Sequence, residues 1–153
     1  MLTSRSRRIL NNFMLTPKKV KFRKWHTMRH NPKKVKVATR GITVAFGSHG
    51  LKATTPARVR SNQLESARKV IVRSMGKTGK LWLRVFPDKP YTQKPPEVKL
   101  GKGKGDPVGY EVEIWPGRIL FEVDGVDDKI ATTALLNAAK KLPLKAKVVA
   151  RHA

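Results

Sequence analysis

Residues 99–105 read Lys-Leu-Gly-Lys-Gly-Lys-Gly, so Gly101, Gly103 and Gly105 alternate with Lys102 and Lys104, and Lys99 stands just before them. Glycine lets a backbone come close to a phosphate, and lysine supplies the countercharge. A nucleotide cradle of the Walker type needs G-x-x-x-x-G-K-[S/T] between a strand and a helix. Here no Ser or Thr follows the lysines, and Asp106-Pro107 leads into a strand. The dinucleotide pattern G-x-G-x-x-G fails as well, because the third glycine comes one residue early and no helix follows. The phosphates this loop suits are those of a nucleic-acid backbone, met without sequence readout. Four prolines in residues 87–96 stiffen its approach.

Other chemistries find no constellation. There is no cysteine, which excludes disulfides, thiol catalysis and cysteine-ligated zinc. His26, His30, His49 and His152 lack a carboxylate at ligand spacing, and they read as nucleic-acid contacts or bystanders. Glu111 and Glu113 share one strand face, as do Glu122 and Asp124, on what the turn at Pro116-Gly117 predicts to be one hairpin. Paired carboxylates can serve acid–base or Mg²⁺ chemistry. In so basic a chain they are expected to neutralise nearby Lys and Arg or to keep a face off RNA. No enzyme, catalytic residue, metal or cofactor is expected.

Charge points the same way. The chain of 153 residues carries a formal net charge of +24. All ten acids fall from Glu65 onward, so the first 64 residues hold sixteen Lys and Arg and no acid. An acid-free arm on a moderately basic domain is the footprint of a nucleic-acid binder. No uncharged apolar run approaches the ~20 residues of a membrane span. Residues 1–13 are Arg- and Ser-rich and acid-free, resembling either an organellar presequence or a misassigned start ahead of Met14.

The elements that must position these groups are legible in outline. Residues 14–40 show no sustained period and hold Pro17 and Pro32, so they read as an arm that orders on a partner. Phe22 and Trp25 lie among its cations, either to stack on bases or to anchor the arm. Residues 41–54 alternate and read as two short strands around a turn. Residues 61–76 read as a helix with Leu64, Ala67, Ile71 and Met75 inward, capped by Ser61 or Asn62 with Glu65 closing a capping box. Arg58, Arg60, Arg68, Lys69 and Arg73 crowd its start and exposed face, which favours an RNA-facing helix. Residues 80–86 read as a strand with Arg84 between Trp82 and Phe86 on one face, its fork pre-organised for a phosphate or base edge. The alternative is a cation–π ladder. A hairpin, a helix over 128–142 behind Asp127, and a last strand follow. The order predicts an α+β fold, a mixed or antiparallel sheet backed by two helices with a basic extended N-terminal arm.

The stretches MLTPKKVKFRKWH (14–26), FGSHGLKA (46–53), QLESARKVIVR (63–73), LWLRVFPDKP (81–90), KLGKGKG (99–105), PGRILFEVDGV (116–126) and AAKKLPLK (138–145) resemble, in order, the bacterial-type large-subunit ribosomal protein L16 family. The resemblance implies a non-enzymatic constituent of the large subunit that binds its rRNA, joins late in assembly and lines the A-site tRNA corridor near the peptidyl-transferase centre. The implied partners are large-subunit rRNA, A-site tRNA and neighbouring ribosomal proteins, with no membrane and no homo-oligomer. The implied location is a ribosome of the bacterial cytoplasm, or of a mitochondrion or plastid.

Residue by residue, the implied rRNA contacts are Lys18, Lys19, Lys21, Arg23, Lys24, Trp25 and His26 in the arm. Lys52, Arg58, Arg60, Arg68, Lys69, Arg73, Arg84 and Lys89 complete them in the domain. Lys99, Gly101, Lys102, Gly103, Lys104 and Gly105 form the loop that approaches tRNA and the peptidyl-transferase region. Arg84 matches a position that some bacteria hydroxylate. The chain departs from the family at residues 27–40, normally rich in Gly and Arg, and at Arg60, where a threonine cap is usual. Residues 1–13 have no family counterpart. The rival readings are a nucleoid-type DNA-binding protein and a nucleotide-dependent RNA-modifying enzyme. The expected organisation is an extra segment (1–13), an arm (14–40) and a domain (41–153).

Overall fold

Leu64, Ala67, Ile71 and Met75 recur at helical spacing, and in the computed structural model all four are buried on the first helix, α1 (Ser61–Met75). The structure describes residues 15–26 and 36–151, so the 1–13 segment, Met14, His30 and His152 lie outside it. Gly76 stops α1 with a φ of 68°, and its N–H donates to the Val72 carbonyl at 3.1 Å. The expected cap at Ser61 or Asn62 does not form. Arg60 takes the cap position, and its backbone N–H donates to Gln63 Oε1 at 2.9 Å. An arginine side chain has no acceptor for the free N–H groups of the first turn, so only this reverse half of a capping box is available. Glu65 turns to Arg68 instead.

The second helix, α2 (Asp128–Ala139), buries Ala131, Ala134, Leu135 and Ala138. It is shorter than the expected 128–142, but Lys141 and Leu142 continue with tight turns onto Ala138 and Ala139, and Leu142 is buried. Asp127 caps it by position, its carbonyl accepting from Ala131 at 2.9 Å, while its side chain makes no cap bond.

Among the described residues seven strands complete the fold in chain order: β1 (His49–Ala53), β2 (Ala57–Arg60), β3 (Lys80–Leu83), β4 (Lys89–Gln93), β5 (Asp106–Ile114), β6 (Ile119–Asp124) and β7 (Ala146–Ala150). They form two sheets, β3-β6-β1-β7 and β2-β5-β4, antiparallel throughout. The helices pack on each other, α1 against β2, β3 and β5, and α2 against β1, β6 and β7. The core gathers there around Phe121, Leu51, Val59, Ile114, Leu64 and Leu135. The α+β class expected from the order of elements is therefore the one observed.

Expectations about the strands change too, and the one expected over 80–86 ends at Leu83. The turn at Pro116-Gly117 joins no hairpin: β5 pairs with β2 and β4, and β6 with β1 and β3. Each strand is central in its own sheet, so both of its edges are already occupied. Residues 41–54 give one strand, and 41–48 form a strap tied to β6 by Ile119 N–H on the Gly41 carbonyl and Ser48 N–H on the Val123 carbonyl. β2 is an additional strand, its four residues being too short a run to show a period. Finally, the proline-rich stretch contains β4, an edge strand that tolerates Pro90.

Candidate nucleic-acid interface

The glycines of the 99–105 loop divide between two tasks. Gly101 and Gly103 have φ of 99° and 88°, and Lys102 between them has 54°, so this tip is built from left-handed backbone. Nothing lies within 4 Å of a Cβ placed on Gly101 or Gly103. Gly105 is a packing residue: a Cβ there would stand 2.7 Å from the Gln93 carbonyl group. The loop is also tied back on itself by Lys94, whose ammonium donates to the Gly101 carbonyl.

A clasp joins the arm to this loop. Lys24 Nζ lies 3.5 Å from Asp106 Oδ1 and donates to the Lys104 carbonyl at 3.2 Å. Lys104 returns the contact, its ammonium donating to the Trp25 carbonyl. Lys18, Lys19, Lys21, Arg23, Lys24, Trp25 and His26 are all exposed, as are residues 97–104. Phe22 and Trp25 are exposed by 57% and 39%, so their rings are open surface and the arm is anchored here by backbone and lysine contacts. Lys21 lies over the Phe22 ring at 5.4 Å.

Arg84 is held, but by groups other than the expected Trp82 and Phe86. Its guanidinium stacks 4.7 Å from the Phe46 ring centroid, and Phe46 stacks on Trp82 at 6.2 Å. Its Nη1 donates to Glu122 Oε1. The other Glu122 oxygen accepts from Ala45, Phe46 and Gly47 N–H at 3.1, 2.6 and 3.1 Å. Glu122 is fully buried. Burial opposes its ionisation, yet the Phe46, Gly47 and Ala45 amides and the Arg84 charge hold its pKa below the ordinary carboxylate value. Local spacing around Arg84 gave no sign of Glu122 or Phe46. The signal lay elsewhere, in a lone carboxylate inside the buried run of β6, which requires a partner.

The remaining cations sort by partner. Glu65 receives a bidentate fork from Arg68 at 2.8 and 2.6 Å, and this hydrogen bonding lowers the Glu65 pKa and raises that of Arg68. Arg58 lies 3.2 Å from Glu113 and 3.7 Å from Glu111. Lys89, expected on RNA, is instead buried, and its ammonium donates to Glu113. Burial pushes the Glu113 pKa up, but Lys89 and Arg58 outweigh it and leave a net lowering. The expectation that these acids neutralise neighbouring cations holds for Glu111, Glu113 and Glu122, whereas Asp124 makes no ion pair among the described residues. Arg60 lies over the Tyr91 ring at 4.8 Å. Lys52, Lys69, Arg73, Lys99 and Lys102 enter no ion pair among the described residues. His49 sits beside Ser48 Oγ and 3.6 Å from Asp128.

Among the described residues no three His, Asp or Glu side chains are grouped to hold a metal, and no helix is long and apolar enough to cross a membrane. A basic α+β domain presenting exposed cations on an arm, a loop and a helix face has the surface of a binding protein. Comparison with known proteins makes the class specific. The family model described as ribosomal protein L16p/L10e matches residues 17–149. A large ribosomal subunit protein uL16 from Afipia carboxidovorans is 51% identical over 140 residues, 92% of this chain and 99% of that one. Its counterpart in Fervidobacterium nodosum is 48% identical over 139 residues, 91% of this chain and 95% of the relative. The one in Rhodopseudomonas palustris is 49% identical over 140 residues, 92% and 99% of the two chains. This chain belongs to the ribosomal protein L16p/L10e family. It is a structural ribosomal protein and not an enzyme.

Proposed function

We propose that this protein is a constituent of the large ribosomal subunit that binds large-subunit rRNA through its arm, loop and first helix, and lines the A-site tRNA corridor near the peptidyl-transferase centre. Its relatives are named as large-subunit proteins. The observation that carries the RNA reading is the clasp of Lys24 and Trp25 on Lys104 and Asp106. It gathers the acid-free arm and the glycine-lysine loop into one exposed cationic ridge. Phosphates along that ridge meet Lys18, Lys19, Lys21 and Arg23 from the arm, with Lys99 and Lys102 from the loop. Lys69 and Arg73 extend the surface along α1, and Arg84 contributes a fork whose orientation the protein has already fixed. The function is neutralisation and placement of RNA, without covalent chemistry, and it supports late subunit assembly and translation. The organisation we infer is the arm (14–40) serving the domain (41–153), in a ribosome of bacterial type in the cytoplasm.

Sedimentation of the native protein from cell extract tests this. Co-migration with large subunits, released by high salt, is the expected result. A free monomer, or migration with small subunits, contradicts it.

A further inference from the structure

β1 and β7 run antiparallel with Lys52 directly opposite Lys147. Leu51, Ala53, Ala146 and Val148 turn inward to the core, so alternation turns both lysines to the outer face of the sheet. Residues in this relation have Cβ atoms roughly 4.5–5.5 Å apart, and like charges so placed repel. No described carboxylate relieves them. The paired acids are engaged elsewhere, Asp106 with Lys24, Glu65 with Arg68, Glu111 and Glu113 with Arg58, Glu122 with Arg84, and Asp128 with His49. Lys145 is exposed two residues before Lys147, on the same side by alternation. Its carbonyl accepts from Thr54 N–H at 2.8 Å and Thr54 Oγ1 at 2.9 Å, which fixes the end of the ladder.

Two lysines paired in register on one sheet face, with no ion pair to either among the described residues, offer a site for a single anion. We propose that Lys52 and Lys147 jointly hold one backbone phosphate of RNA, with Lys145 flanking it. The proposal rests on the reading of this protein as an rRNA binder and adds a contact that neither the arm nor the loop provides. β7 and β3 are the two edges of the four-stranded sheet, and β3 leads to Arg84. At about 4.8 Å per strand, β3 stands roughly 10–14 Å from the β1–β7 pair across the sheet. The protein would bridge separate stretches of RNA backbone with one rigid element between them.

The test uses full-length protein and transcribed large-subunit rRNA, with binding measured over a salt series. Lys52→Gln and Lys147→Gln should each weaken binding. The double variant should lower the slope of log affinity against log salt by about 0.7–0.9, the contribution of one phosphate. Lys147→Glu should weaken binding while raising the melting temperature above wild type, because Lys52 gains an opposite charge across the strands. Unchanged affinity and slope in all variants, with a steep wild-type slope, overturns the site. A double-variant loss worth two phosphates overturns the sharing. A wild-type protein with no salt-dependent binding overturns the underlying rRNA reading, and this site with it.

Discussion

Arg84 and Glu122, 38 residues apart, form one ion pair in which the carboxylate is fully buried and the arginine keeps 21% of its side chain exposed. The exposed partner is the one that faces the RNA in the proposed function. The buried partner also gathers three successive amides of the strap, so one carboxylate sets both the arginine and the backbone that carries Phe46.

Removing the two partners should therefore have unequal consequences. Glu122→Ala leaves three amides and a cation without their acceptor and is expected to cost about 3–5 kcal/mol in urea unfolding. Arg84→Ala leaves the carboxylate with its amides and should cost about 1–3 kcal/mol, while weakening rRNA binding. Equal losses of stability, or an Arg84→Ala protein that binds rRNA like wild type, would contradict this arrangement.

Acid should destabilise the fold through the same groups. Glu65, Glu113 and Glu122 all have folded-state pKa values below the ordinary 4.5. Their contribution is complete above the unfolded value and is lost as pH falls through the folded ones. Melting temperature should hold nearly flat from about pH 7 to pH 5 and fall below about pH 4.5. Glu122→Gln should start lower and fall less steeply. A melting temperature that rises on acidification would refute the sign.

Glycine substitutions should separate packing from loop conformation. A Cβ on Gly47 would collide with the Val123 carbonyl, against which the strap lies. Gly47→Ala is expected to lower stability by more than 2 kcal/mol, about the cost of overpacking. Gly101→Ala meets no atoms and carries only the left-handed backbone penalty, about 1 kcal/mol, confined to the loop. Comparable melting temperatures for the two variants would count against this division.

Loop lysines should differ in what they do. Lys102 projects freely, so Lys102→Gln should reduce the salt slope of rRNA binding by about 0.7–0.9. Lys94 is tied to the Gly101 carbonyl. Lys94→Gln should speed tryptic cleavage at Lys102 and Lys104 with a smaller change in slope. The reverse pattern would mean that the tie does not shape the loop.

Both helices were legible in the sequence because their apolar stripes are local signals, and the buried set of α1 is the one its spacing predicts. The supposed hairpin was not, because a two-residue turn between strands looks the same whether they pair or part into two sheets. Only the partners of Glu111 and Glu122, 22 to 77 residues away, distinguish the cases. The cationic arm and loop were visible from composition and glycine spacing. Their clasp was not, since Lys24 and Lys104 are 80 residues apart. Lys89 misled for a related reason, because a lysine in sequence carries no mark of burial.

In the proposed function the arm and loop together occupy large-subunit rRNA at the A-site corridor. Chemical footprinting of large subunits assembled with and without this protein tests it most directly. The expected result is protection of rRNA backbone lining the A-site corridor, lost at that place when residues 99–105 are shortened. Protection confined to regions distant from that corridor, or none at all, would contradict it.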